Sequence, residues 1–140
     1  MACPYFRPRE PLSGSAELAA ILPLGAAWAG ICQAASEPAV PEATQLMPFC
    51  NLGYARGSCS RFADEGGPDA VRFAVSQHTE DFVQLSFVLE RDHRPHAHGT
   101  VTFDIHRGML TDPPAGEIFR AQALAYLSRY LQRKNHGVVR

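Results

Sequence analysis

Phe82-Val83-Gln84-Leu85-Ser86-Phe87-Val88-Leu89-Glu90 is the stretch on which the fold of this chain turns. Val83, Leu85, Phe87 and Leu89 fall on one face of an extended chain; Gln84, Ser86 and Glu90 fall on the other, with Phe82 and Val88. A period of two marks a strand buried on one side. Upstream, in Ala70 to Ser76, Val71, Phe73 and Val75 alternate with Arg72 and Ala74, and the polar Gln77 to Asp81 is short enough for a hairpin. Downstream, Thr100 to His106 repeats the pattern, with Val101, Phe103 and Ile105 against Thr102 and Asp104.

The period then changes. Over Glu117 to Lys134, Ile118, Leu124, Leu127 and Leu131 gather toward one helical face, joined by Phe119, Tyr126 and Tyr130. Asp112-Pro113-Pro114 is a starting signal, and Arg129, Arg133 and Lys134 suit the negative end of the helix dipole. The expected fold class is α+β: a small antiparallel sheet of about three strands covered by a C-terminal helix.

The other half reads differently. Residues 1–68 hold all four cysteines, eight of the eleven prolines and seven of the eleven glycines, so turns interrupt every element. Two short helices are expected, one from Ser15 to Leu22 before Pro23, the other over Pro41 to Met47 and ended by Pro48. Phe62 to Asp69, with Gly66-Gly67-Pro68, reads as a hinge between this irregular, cysteine-bearing subregion 1–68 and the sheet-and-helix subregion 69–140. At 140 residues and 15.3 kDa, the two together suit a single domain, 1–140.

Composition narrows the function classes. With 46% hydrophobic and 19% charged residues, the chain is not of the disordered type. A net charge of −1 argues against a protein that coats polyanions. The basic run Arg129, Arg133, Lys134, His136 and Arg140 is explained by its place at a helix end, so nucleic acid is not an expected partner. Leu18 to Ala35 is apolar but broken by Pro23, Gly25 and Gly30, so neither a secretory signal nor a membrane span is expected. The expected location is the cytoplasm, where thiols stay reduced.

Cys3, Cys32, Cys50 and Cys59 are therefore expected as free thiols, and each lies within three residues of a proline or glycine. Such turns can aim several sulfurs at one point and leave backbone amides to donate to them. Tyr5, Phe6, Trp28, Phe49, Tyr54 and Phe62 are close in sequence and could wall off a cofactor. The intervals between cysteines hold 28, 17 and 8 residues, with no C-x2-4-C knuckle, which lowers the reading as structural zinc. The expected cofactor is an iron–sulfur cluster, such as 4Fe–4S, reached from separate loops. Zinc is the alternative, and buried metal-free thiols are the third reading. A bound metal would supply folding energy to a half that lacks periodicity.

His93, His96 and His98, in Arg91 to Gly99, form a weaker candidate for a second metal site; the plainer reading is a polar loop joining two strands. No catalytic motif stands out: the chain lacks a G-x-S-x-G elbow, a P-loop and a dinucleotide fingerprint. Leu52-Gly53-Tyr54-Ala55-Arg56-Gly57 reads as a turn presenting Cys50 and Cys59 rather than a phosphate cradle. The expected function is electron transfer, or a structural part in a redox complex with a protein partner. The alternatives are a zinc-stapled interaction module and a metal-free binding domain.

Overall fold

The computed structural model describes residues 2–12, 22–35, 37–54, 56–62, 66–111 and 116–139, the last five for their backbone. The expected helix from Ser15, apart from its last residue, and the Asp112-Pro113-Pro114 start fall outside these. The described elements are β1 (Phe6–Pro11), β2 (Trp28–Cys32), α1 (Ala43–Gln45) running into a π-helical turn (Leu46–Asn51), β3 (Ala70–His78), β4 (Phe82–Arg91), β5 (Arg94–Asp104), β6 (Met109–Leu110) and α2 (Glu117–Val139). The class is α+β, with an antiparallel meander β3-β4-β5-β6 and a separate antiparallel pair β1-β2.

The sheet thus has four strands rather than about three, and the N-terminal half contributes a second sheet. β6 is two residues long, too short to leave a pattern. β1 contains Pro8 and Pro11 and β2 contains Gly30, residues that weaken a strand signal and suit a sheet edge. β5 begins at Arg94, six residues before the expected Thr100, because the β4–β5 connection is only Asp92-His93. Both have positive φ, 55° and 61°, as a tight two-residue hairpin turn requires. Arg91 and Arg94 therefore already face each other.

Val83 and Leu85 of β4 are fully buried, as their alternation requires, with Val71 and Phe73 of β3 and Val101 of β5 beside them. The ring of Phe87 lies over the bare Cα of Gly99, its partner across the ladder: a Cβ there would sit 2.9 Å from Cζ. Phe119 of α2 meets Phe87 edge-on at 4.8 Å and Phe73 at 5.4 Å, and Tyr126 meets Phe73 at 5.9 Å. These aromatic contacts seat the helix on the four-stranded sheet.

On its other side α2 supports the N-terminal half. Gln122 Nε2 donates to the carbonyls of Cys3 and Phe6 at 2.7 and 2.8 Å, and Arg133 Nη1 donates to Gly25 O at 2.9 Å. A helix packed on two sides buries more than one stripe: Gln122, Ala123, Ala125 and Leu127 are buried, whereas Ile118, Leu124 and Leu131 of the expected face are half-buried. One core joins Ala2, Cys3, Phe6, Leu24, Trp28 and Cys50 to Val71, Phe73, Val83, Leu85, Ala123 and Leu127. Ala2 and Val71 add a reciprocal backbone pair, at 2.6 and 2.7 Å. No helix among the described residues is long and apolar enough to cross a membrane.

The β1–β2 pair depends on one close approach. A Cβ on Gly30 would lie 2.1 Å from the backbone oxygen of Arg7, and neither strand can yield without losing its ladder. Gly30→Ala is expected to cost about 3 kcal/mol, read as a lower denaturant midpoint with an unchanged slope.

Candidate metal centre

Each cysteine is held by a different piece of the fold. Cys3 opens a turn closed by Phe6 N–H on Cys3 O (3.1 Å), the same carbonyl that Gln122 binds. Cys32 ends β2, pairs with Phe6 of β1, and exchanges two backbone hydrogen bonds with Ala39, at 2.7 and 3.0 Å. Cys50 lies in the π-helical turn, and its carbonyl accepts from Cys3 N–H at 3.1 Å, which ties two cysteine segments together directly. Cys59 lies in a turn where its carbonyl accepts from Phe62 N–H, also at 3.1 Å.

The π-helical turn departs from the expected helix over Pro41 to Met47, since the chain coils on through Pro48. Pro48 has no N–H for a regular ladder, and the turn widens. Asn51, buried, completes it: Nδ2 donates to Leu46 O (3.0 Å) and Trp28 O (3.1 Å), while Oδ1 accepts from Trp28 N–H (2.8 Å). One side chain thereby serves as a strand partner for β2 and sets Cys50 beside the strand that carries Cys32.

All four sulfur-bearing residues line one recess, together with Tyr5, Phe6, Ala34, Phe49 and Phe62. No charged side chain lines it among the described residues. Its central space is about 20 Å³, room for the centre of one water. Tyr5 and Phe62 close one side edge-to-face at 5.0 Å. Four of the six expected aromatics thus form the wall. Trp28 instead sits in the core with Nε1–H on Leu24 O, and Tyr54 donates to the Glu90 carboxylate and stacks on His93 at 4.0 Å.

The four thiols surround a space and not a point. Among the described residues, no group of three or more His, Cys, Asp or Glu side chains is gathered tightly enough to hold one metal ion. The same holds for His93, His96 and His98: the first is at the hairpin tip on Tyr54, and the others are exposed along β5. His78 and His106 contact Tyr130 Oη and Asp81 Oδ1, each at 2.9 Å.

The loop between Cys50 and Cys59 is anchored on the hairpin tip. Buried Asp69 accepts from Arg56 Nε at 3.2 Å and from Asp92 N–H at 2.9 Å, and its carbonyl accepts from Tyr54 N–H. Tyr54 takes a positive φ of 59° to make the turn.

Burial pushes the Cys3 thiol from 9.0 up to about 12; the Tyr5 N–H on its sulfur opposes the rise, and Cys50, Cys32 and Cys59 add to it. Burial, with Cys32 and Cys59, likewise pushes Cys50 up to about 12. The metal-free fold thus holds these two as neutral thiols. A group whose pKa is raised on folding contributes stability below its unfolded value, and that stability is lost as pH climbs through the folded one. The melting midpoint of the metal-free protein is expected to fall steadily between pH 9 and 12. Cys3→Ala should flatten that fall, measured by circular dichroism at pH 8, 9.5 and 11.

Asn51 and Gln122 hold the site together and were not singled out by sequence reasoning. For Gln122 a signal exists: it is the one polar residue in Ala121-Gln122-Ala123-Leu124-Ala125. Gln122→Glu would set a carboxylate against two carbonyl oxygens. A loss of about 3 kcal/mol is expected at pH 7, in part recovered near pH 4 as the group protonates, by urea titration at both values.

No protein-family model matches the chain, and neither a curated protein nor a solved structure matches it significantly.

Proposed function

We propose that Cys3, Cys32, Cys50 and Cys59 hold an iron–sulfur cluster as thiolates, and that the protein carries electrons or forms a structural part of a redox complex. The observation that carries this reading is the convergence of four thiols, from four separate segments, on one apolar recess. Four cysteines that line one shared space from four segments are unlike cysteines scattered to fill a core. The cysteine intervals, with no C-x2-4-C knuckle, favour a cluster over zinc.

The group would supply one-electron oxidation and reduction, and the chain would tune it. The Tyr5 N–H stabilises negative charge on Cys3 sulfur. Tyr5, Phe6, Phe49 and Phe62 exclude water and lower the local dielectric. Binding must strip the protons from Cys3 and Cys50, so loading tightens as pH rises. A reducing compartment such as the cytoplasm would keep the thiols available, and a redox protein is the partner this chemistry calls for.

The test is reconstitution of metal-free protein without oxygen, with ferrous iron plus sulfide in one sample and zinc in another. Brown protein retaining about four irons and four sulfides per chain after gel filtration supports the reading. Tight binding of one zinc with no retained iron points to a zinc-stapled module, and retention of neither to a domain with buried thiols.

A further inference from the structure

We infer that the four cysteines are not equivalent: Cys3, Cys32 and Cys50 form a permanent seat, and Cys59 is the ligand that can be released. The inference rests on the cluster reading above and concerns how that site is regulated. Cys3, Cys32 and Cys50 are only 7–9% exposed, whereas Cys59 is half-buried and flanked by exposed Gly57, Ser58 and Ser60.

Anchorage differs in the same sense. Cys3 is bound by the backbone of Cys50 and the side chain of Gln122, Cys32 by Ala39 and the β1–β2 ladder, and Cys50 by Cys3 and, through Asn51, by β2. Among the described residues, Cys59 has one backbone hydrogen bond, and it stays within its own turn, from Phe62. Upstream, the fixed point of that loop is Arg56 on Asp69 and Asp92, three residues away. A segment with exposed neighbours and only local hydrogen bonds opens at low cost, while segments built into ladders open with the whole fold. On release the Cys59 sulfur would keep the iron–sulfur bonding pair and take a proton from water, and a small anion or thiolate would donate a pair to the iron position it leaves.

Two measurements on iron-loaded protein, kept free of oxygen, test this. Iodoacetamide labelling followed by peptide mass analysis should modify Cys59 about tenfold or more faster than Cys3, Cys32 or Cys50. Cys59→Ala should keep most of its iron and visible absorption, whereas Cys3→Ala, Cys32→Ala and Cys50→Ala keep almost none. Labelling of all four at one rate overturns the inference. So does a Cys59→Ala protein that loses all its iron while retaining its circular dichroism spectrum. Wild-type protein that takes up no iron overturns the inference too, but through the cluster reading beneath it, and this is seen before any variant is compared.

Discussion

Cys50→Ala is expected to abolish iron retention, with less than about a tenth of the wild-type iron per chain and no broad visible absorption. Its sulfur lies in the recess that Cys3, Cys32 and Cys59 share, and its backbone is bound to both Cys3 and, through Asn51, to β2. Three remaining thiols cannot complete the set when the missing one is an anchored member. The metal-free fold should suffer little, since the change removes one small buried group and costs about 1 kcal/mol. In the loaded protein the midpoint of unfolding should fall to that of the metal-free chain, because the binding energy is also folding energy. If the cysteines were packing residues alone, Cys50→Ala would show the small cost and nothing else. Iron per chain and thermal denaturation, measured on the same samples, separate the two.

Asn51→Leu is the second large effect. The substitution is close in volume and better matched to an apolar core, yet it is expected to destabilise the metal-free protein by about 3–5 kcal/mol. Three hydrogen bonds go at once, leaving Trp28 N–H, Trp28 O and the Leu46 carbonyl without this partner inside the fold. Buried groups left unsatisfied cost more than the bonds themselves contributed. Denaturant unfolding checks the magnitude. Because Asn51 also sets Cys50 beside the strand of Cys32, iron uptake should drop in this variant under conditions where it remains folded.

The sheet was legible in the sequence where one face is wet. β3 and β4 alternate so regularly because Val71, Phe73, Val83 and Leu85 face α2 and the core while Arg72, Gln84 and Ser86 do not. The start of β5 was concealed, since Arg94-Pro95-His96-Ala97-His98-Gly99 has the composition of a loop. Asp92 and His93 nevertheless adopt the left-handed geometry that closes a hairpin in two residues. The helix was legible, but its most buried side was not, because packing between two sheets favours Ala and a doubly bonded Gln over a stripe of large residues. β1 and β2 were hidden by proline and glycine, and of these Gly30 lets the pair approach closely.

The cysteines crowd the first 59 positions of the sequence, and the structure draws all four to one recess. What holds them there was not readable. Asn51 and Gln122 act through backbone carbonyls distant in sequence, and a hydrogen bond of that kind leaves no spacing pattern. The three histidines looked like a group only because they are near neighbours along the chain. A strand sends His96 and His98 outward while the turn lays His93 on Tyr54.

The most direct measurement is an absorption spectrum of protein purified without oxygen, taken together with iron, sulfide and zinc analysis of the same sample. A brown protein with broad absorption near about 400 nm and about four irons and four sulfides per chain is the result predicted. A colourless protein with neither iron nor sulfide, prepared without oxygen or chelator, would contradict the account at its centre.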